Sequence, residues 1–212
     1  MDILKRHIVI SLMLVLTLLI PEKSKGQVFY LGLESNAVYS WFDSPDLENL
    51  VVSDGWGWNL GFFVRYGKRP FIQLGLGWTR SLNDFTVSFY DEDMQEDVTF
   101  RDDIKLNNFD FSVKAGYEVL HTPIFRIDVH GGPFIGRSLM FSSETIYFDN
   151  DTFKHPQLGI NGGVGFQFTN FIFGFDYNYH FTDLFKPLNI DGEKYNLGSK
   201  LQMVQLKLGL MF

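Results

Sequence analysis

The sequence lacks three features that would each point to a particular class of protein. None of its 212 residues is cysteine, which excludes disulfide bonds, thiol nucleophiles and cysteine-ligated metals. No apolar run reaches the roughly 20 residues that a membrane-spanning helix requires. Basic residues number 18 against 25 acidic ones, and the resulting net charge of −7 argues against nucleic acid as a partner.

The longest apolar run lies near the N-terminus and is typical of an export signal. It extends from Ile8 to Ile20, follows a basic lead at Lys5 and Arg6, and is followed by PEKSKGQ. The run is short for an anchor helix, which is the alternative interpretation. We therefore predict a secretory signal peptide over residues 1–26, cleaved before Gln27, and a mature domain over residues 27–212.

Aromatic residues are abundant, and many of them alternate with other residue types. The chain has 23 phenylalanines, and in FIFGFDYNYHF, residues 171–181, a large apolar or aromatic residue occupies every second position. Strict alternation is the signature of a β-strand with two different faces. No segment of the mature chain is convincingly helical. The pattern recurs in further segments, which are 29–41, 56–66, 72–79, 109–119, 125–139, 158–168 and 203–212.

Eight amphipathic strands leave two architectures open. One is a soluble barrel or sandwich with apolar residues inside, and the other is a transmembrane barrel with apolar residues against lipid. The links at 67–70, 120–123 and 169–170 are tight, whereas the links that alternate with them are long and polar. Short turns at one end and long loops at the other are typical of outer-membrane barrels. The long links are 42–54, 83–105, 141–157 and 183–199.

The composition of the two strand faces also favours a membrane barrel. The polar face is rich in glycine, which suits the narrow interior of an eight-stranded barrel better than a solvent-facing strand. Aromatic residues at the strand ends match the two interfaces of a bilayer. We therefore predict an all-β fold, an eight-stranded antiparallel up-and-down transmembrane β-barrel. Its aromatic belt at the long-loop end comprises Trp41, Trp56, Trp58, Trp78, Tyr177 and Tyr179.

Several elements resemble one family of such barrels. The predicted signal peptide ends before Gln27, GGPFIG occupies residues 131–136, and the chain ends in Phe212. With these elements the chain resembles the PorT-like outer-membrane β-barrels, which are related in shape to OmpA and OmpX barrels. The resemblance implies that Phe212 is the signal recognised by the barrel-assembly machinery. It also implies a location in the outer membrane and, for part of the family, a role in protein secretion and gliding.

Ionisable residues on the inward face predict a plugged lumen. Four fixed positive and five fixed negative charges nearly balance, and unpaired charges would be costly in a narrow interior. A narrow conducting pore is the alternative, although pores usually need more strands. The predicted lumen network comprises Glu34, Arg65, Asp110, Lys114, Glu118, Arg126, Asp128, His130, Asp176, His180 and Lys207.

An enzyme is the alternative from another class of function. His180 with Asp176, or His130 with Asp128, could orient a general base. No serine is placed beside either pair by a recognisable motif, so we expect no catalytic residues, no cofactor and no metal site. The acidic link 81–103 does not match the spacing of a Ca²⁺-binding loop.

The long links suggest how the protein meets its surroundings. FTVSFY and VTF alternate within the acidic link, which predicts a hairpin projecting beyond the membrane with its tip near residues 91–96. A second projecting hairpin is predicted at 147–153. We expect contacts with outer-membrane lipid and lipopolysaccharide, and with envelope proteins through the long loops. The predicted role is structural, adhesive or accessory to an envelope assembly, and a PorT-like secretion component is the more specific alternative.

Overall fold

A computed structural model describes residues 29–43, 50–52, 54–91, 96–140, 153–186, 188–190, 193–195 and 200–212. The predicted signal peptide and its cleavage site lie outside these residues. No helix in the described ranges is long and apolar enough to cross a membrane. The strands are β1 (Phe29–Asp43), β2 (Leu50–Val52), β3 (Gly55–Gly67), β4 (Pro70–Asp91), β5 (Glu96–His121), β6 (Phe125–Met140), β7 (Gln157–Phe168), β8 (Phe171–Asp183), β9 (Leu188–Ile190), β10 (Glu193–Tyr195) and β11 (Lys200–Met211).

Eight of these strands form a closed antiparallel barrel. The order around the wall is β3-β1-β11-β8-β7-β6-β5-β4, and the pairing of β3 with β4 closes the ring. Each wall strand therefore pairs with its neighbours along the chain, and β1 pairs with β11 at the seam. This arrangement confirms the predicted all-β, eight-stranded, up-and-down barrel.

The outer surface of the wall is apolar and the inner surface is mostly polar. Leu76 and Leu206 are each 59% exposed on the outside, whereas Arg65 and Lys207 are 4% and 7% exposed inside. Water would favour the opposite arrangement, because exposed apolar area is unfavourable and buried charges require partners. A continuous apolar wall of this kind is stable against lipid.

Apolar side chains form a buried cluster at each end of the lumen. At the short-turn end Phe63, Ile172 and Met211 form a buried cluster. At the long-loop end Val38, Leu201 and Met203 form a second one. These residues lie on the inward face, whose composition is otherwise rich in glycine and polar groups. At the two ends of the lumen, away from the central charges, the barrel is stabilised by apolar packing as in an ordinary protein core.

The strands β4 and β5 continue far beyond the wall. They contain 22 and 26 residues, against 12 to 16 in the other wall strands, and they pair as far as Asp91 and Glu96. Pairing of β5 with β6 ends at Leu106. The projecting hairpin with its tip near residues 91–96 is thus confirmed, and β2 pairs with its β4 strand. The hairpin predicted at 147–153 lies outside the described residues except for Phe153, which bridges to Phe185.

Candidate functional site: the barrel interior and the outer rim

The charged residues in the middle of the barrel converge on Asp176. Its carboxylate accepts a hydrogen bond from Lys114 Nζ at 2.9 Å and lies 2.8 Å from Nε2 of His130. The ammonium group of Lys207 also forms an ion pair with it. Asp176 is 1% exposed, so three cationic or donor groups compensate one buried carboxylate. Such a charge is tolerated in a low-dielectric interior only with partners of this kind.

The network continues from Asp176 to both sides of the lumen. His130 Nδ1 lies 2.7 Å from Asp128, and the other oxygen of Asp128 lies 3.2 Å from Arg65. On the opposite side Lys207 lies 3.8 Å from Glu34. Both ring nitrogens of His130 therefore contact carboxylate oxygens.

Four of these carboxylates lie opposite glycines on a neighbouring strand. A Cβ atom at Gly163 would lie 2.0 Å from an oxygen of Asp176, so no larger residue fits there without a shift. Glycine therefore makes room for the charged side chains, which gives the glycine-rich inner face a specific explanation. The pairs in register are Glu34 with Gly61, Asp110 with Gly77, Asp128 with Gly165 and Asp176 with Gly163.

A second ionic cluster lies at the short-turn end. Glu118, 2% exposed, contacts the imidazole of His121 and lies 3.7 Å from Arg126. The guanidinium of Arg126 is 5.7 Å from the ring centre of Tyr30. Sequence reasoning missed His121 because it was assigned to a turn. Its position three residues after Glu118 was the available signal.

Two residues of the predicted network stand apart from it. His180 Nδ1 is 2.8 Å from the carbonyl oxygen of Leu201, and its ring meets Phe134 edge to face. It forms no ion pair with Asp176 among the described residues, so that candidate general-base pair is not assembled. Asp110 has no ion-pair partner within 4.0 Å in the described part of the chain. His130 and Asp128 do pair, within the ionic network.

A small polar cavity lies in the lumen beside the network. Its lining residues include Asp110, Asn108, Gln157 and Asn161, and the cavity volume is about 40 Å³. Buried amide atoms of Asn108, Gln157 and Asn161 have no hydrogen-bond partner in the described chain. A cavity of this size and polarity can hold a few water molecules.

The six residues of the predicted aromatic belt lie at the long-loop end of the wall. Tyr39, which was not assigned to the belt, joins two of its members, with ring centres 5.0 Å from Trp56 and 5.8 Å from Trp41. Trp41 stacks on Tyr177 at 6.0 Å. The members are Trp41, Trp56, Trp58, Trp78, Tyr177 and Tyr179, and Trp56 is the most exposed at 67%.

The terminal residue Phe212 completes the seam of the barrel. Its amide donates to the carbonyl of Leu31 at 2.8 Å, and its carbonyl accepts from the amide of Leu31 at 2.9 Å. The last residue is therefore part of the β1–β11 ladder. Its role as an assembly signal stays a prediction.

Comparison with known proteins identifies a family and several related folds. A family profile described as outer membrane protein beta-barrel domain matches residues 10–212. Comparison with curated proteins gives no match.

Several solved structures of outer-membrane proteins are similar to this chain. OprG from Pseudomonas aeruginosa is 12% identical with a TM-score of 0.50, and the match covers 87% of this chain and 95% of that chain. Neisserial surface protein A is 10% identical with a TM-score of 0.47, covering 88% and 98%. Ail, the attachment invasion locus protein of Yersinia pestis, solved with the heparin analogue sucrose octasulfate, is 14% identical with a TM-score of 0.43, covering 88% and 100%. At these identities the likeness concerns the fold alone.

Proposed function

Because the chain belongs to the family of outer membrane protein β-barrel domains, we propose that it is a closed, non-catalytic barrel that displays its long loops for binding at the cell surface. The family places the protein in the outer membrane. The proposed role is adhesive, or accessory to an envelope assembly. The observation that carries the proposal is a filled lumen combined with a hairpin that extends well beyond the wall.

The filled lumen argues against transport as the main role. The ionic network crosses the interior from Arg65 to Glu34, and apolar clusters lie at both ends. An eight-stranded barrel has little interior volume beyond that of its side chains. The cavity beside Asp110 has room for water, so a narrow pore is kept as the alternative.

The projecting hairpin supports a binding role. Residues 83–91 form ladder pairs with residues 96–104 beyond the point at which β5 leaves β6, so these two segments have regular strand structure. The register places Val87 opposite Phe100 and Phe89 opposite Val98. Strand structure that exists before binding would lower the entropy lost when a partner binds.

The test is to replace residues 85–102 with a short turn, which retains the wall pairing of Leu82 with Lys105. The full chain and the trimmed variant should both fold and insert into membranes. Envelope proteins that co-purify with the full chain should no longer co-purify with the trimmed variant. A control variant with Lys68 and Arg69 changed to glutamine alters the opposite end and should retain these partners. Unchanged partners after trimming would refute loop-mediated binding.

Conductance separates the closed barrel from the pore. Planar-bilayer recordings of the purified protein should show no steady channel. Regular unitary currents that disappear when Asp110 is replaced by leucine would instead support conduction through the cavity side of the lumen.

Two finer roles remain proposals. A PorT-like role in secretion or gliding draws support from the sequence resemblance around residues 131–136, and deletion of the gene should then block export of secreted cargo. Catalysis on lipid or peptide would draw on His130 with Asp128. Retention of any such activity in His130→Ala would remove this pair from consideration.

A further inference from the structure

A group of cations without an ion-pair partner among the described side chains lies on the outer wall at the long-loop end. Arg80 and Arg137 are exposed, and Lys105 is half-buried. All three occupy outward positions on the adjacent strands β4, β5 and β6. The register places Arg80 opposite Asn107, Lys105 two residues from Asn107 on the same strand, and Arg137 diagonal to it. Residues so related lie about 5–8 Å apart across a sheet.

Buried donors without partners accompany these cations. Asn107 is 2% exposed although its neighbour Phe109 on the same face is 45% exposed, and Asn107 Nδ2 has no hydrogen-bond partner in the described chain. Nε1 of Trp78 is likewise buried and has no hydrogen-bond partner in the described chain. The ring of Trp78 lies 6.1 Å from that of Phe109. Unsatisfied buried donors are rare and call for an acceptor. Two of them beside three cations indicate an anion-binding surface.

No carboxylate of the described wall faces this group. Outward positions of β4, β5 and β6 within the wall carry no acidic residue over 70–82, 105–121 and 125–139. The register continues with Asp84 opposite Asp103, the first acidic residues beyond this part of the wall. Elsewhere on the rim a cation has a partner, since Lys154 lies 3.7 Å from Asp183.

One cation of the group, Arg137, also affects His155 beyond β6. Burial lowers the pKa of His155, and the positive charges of Arg137 and Lys186 lower it further. A positive field at this position would attract an anion at the membrane boundary.

The wall below the cations is shaped for hydrocarbon. Leu76, Phe111 and Ile135 occupy one cross-strand row and are 59%, 41% and 46% exposed. Donors above an exposed apolar row match a molecule with an anionic head and acyl chains. A free phosphate ion would use only the upper half of this surface.

We propose that Arg80, Lys105, Arg137, Asn107 and Trp78 form a binding site for the phosphate group of an outer-leaflet glycolipid of the lipid A type. The cations bind the phosphate by charge-assisted hydrogen bonds, Asn107 and Trp78 donate to its remaining oxygens or to the sugar, and the acyl chains lie on the row of Leu76. The site is separate from the loop-mediated binding proposed above.

The experiment measures lipid binding to the full chain in phosphatidylcholine nanodiscs by native mass spectrometry, in EDTA so that divalent ions cannot bridge. The probes are bisphosphorylated lipid A, the same lipid without phosphates, and inorganic phosphate. The test variant is Arg80→Gln with Arg137→Gln. The control is Lys68→Gln with Arg69→Gln, which removes the same charge from exposed positions at the opposite end. Folding of each variant is checked by heat-modifiable migration.

Bisphosphorylated lipid A should bind the wild type and the control equally, and the test variant at least about tenfold more weakly. The lipid without phosphates should bind the wild type as weakly as the test variant. Equal binding of lipid A to the test variant, or equal binding of the lipid without phosphates, would overturn the proposal. Displacement of the lipid by millimolar inorganic phosphate would reassign the site to a free anion and overturn the lipid assignment. If the double variant does not fold, the single variants Arg80→Gln and Arg137→Gln are held to the same criteria.

Discussion

Replacing Asp176 with asparagine should strongly destabilise the barrel. The substitution preserves shape but removes the charge that compensates Lys114 and Lys207, whose side chains are 7% and 5% exposed. It also removes one of the two carboxylates that flank His130. Breaking a buried ion pair from one side costs about 3–5 kcal/mol, because the remaining charge is left without compensation. We expect a loss in the upper part of this range, since two ammonium groups are affected.

The assay is reversible urea unfolding in lipid vesicles, followed by tryptophan fluorescence and by migration in gels. Asp110→Asn is the matched control, because it makes the same chemical change in the same lumen at a residue without an ion-pair partner in the described chain. Its effect should be below about 1 kcal/mol. Adding Lys114→Met and Lys207→Met to Asp176→Asn should recover part of the loss. Equal losses for the two aspartate variants would refute the reasoning that Asp176 is the centre of the network.

Three further outcomes follow from the geometry. Gly163→Ala should lower the free energy of unfolding by about 1–3 kcal/mol because the new methyl group overpacks the lumen. Gly162→Ala should be almost neutral in the same unfolding assay, since its methyl group would meet nothing nearer than 3.8 Å. Leu206→Arg should cost about 2–4 kcal/mol if that position faces the bilayer midplane, against about 0–1 kcal/mol for Leu82→Arg at the rim; equal costs would contradict the lipid-facing assignment. The pKa of His155, measured by NMR, should lie below 6.5. Any folding stability that the neutral imidazole contributes is therefore lost as the pH falls from 6.5 through that lower pKa. A measured pKa above 6.5 would contradict the positive field around His155.

Charge pairing and glycine placement act together in this interior. Each of Glu34, Asp128 and Asp176 has a cationic partner as well as a glycine in register with it. A single substitution at either kind of position therefore disturbs the same local arrangement. Asp110 has the glycine without the ion pair, and it lines the cavity.

Much of the wall could be predicted from the sequence because strand alternation is a local property. A period of two residues separates the lipid-facing side, such as Leu206 and Leu208, from the lumen-facing side at Lys207. The same periodicity indicated the projecting hairpin and the inward direction of every charged residue in the predicted network. These features depend only on neighbouring residues along the chain and on whether each face of a strand contacts lipid or the lumen.

The partners inside the lumen could not be predicted, because they depend on how eight strands are staggered around the axis. Asp176 meets Lys114, 62 residues away, while His180, four residues further along the same strand, meets a carbonyl group instead. The apolar clusters at both ends and the unpaired donors beside Arg80 likewise arise from strands brought together by closure. Alternation thus determined which side of the wall each residue occupies, and only the closed barrel decided which residues meet, because that depends on register and stagger between strands.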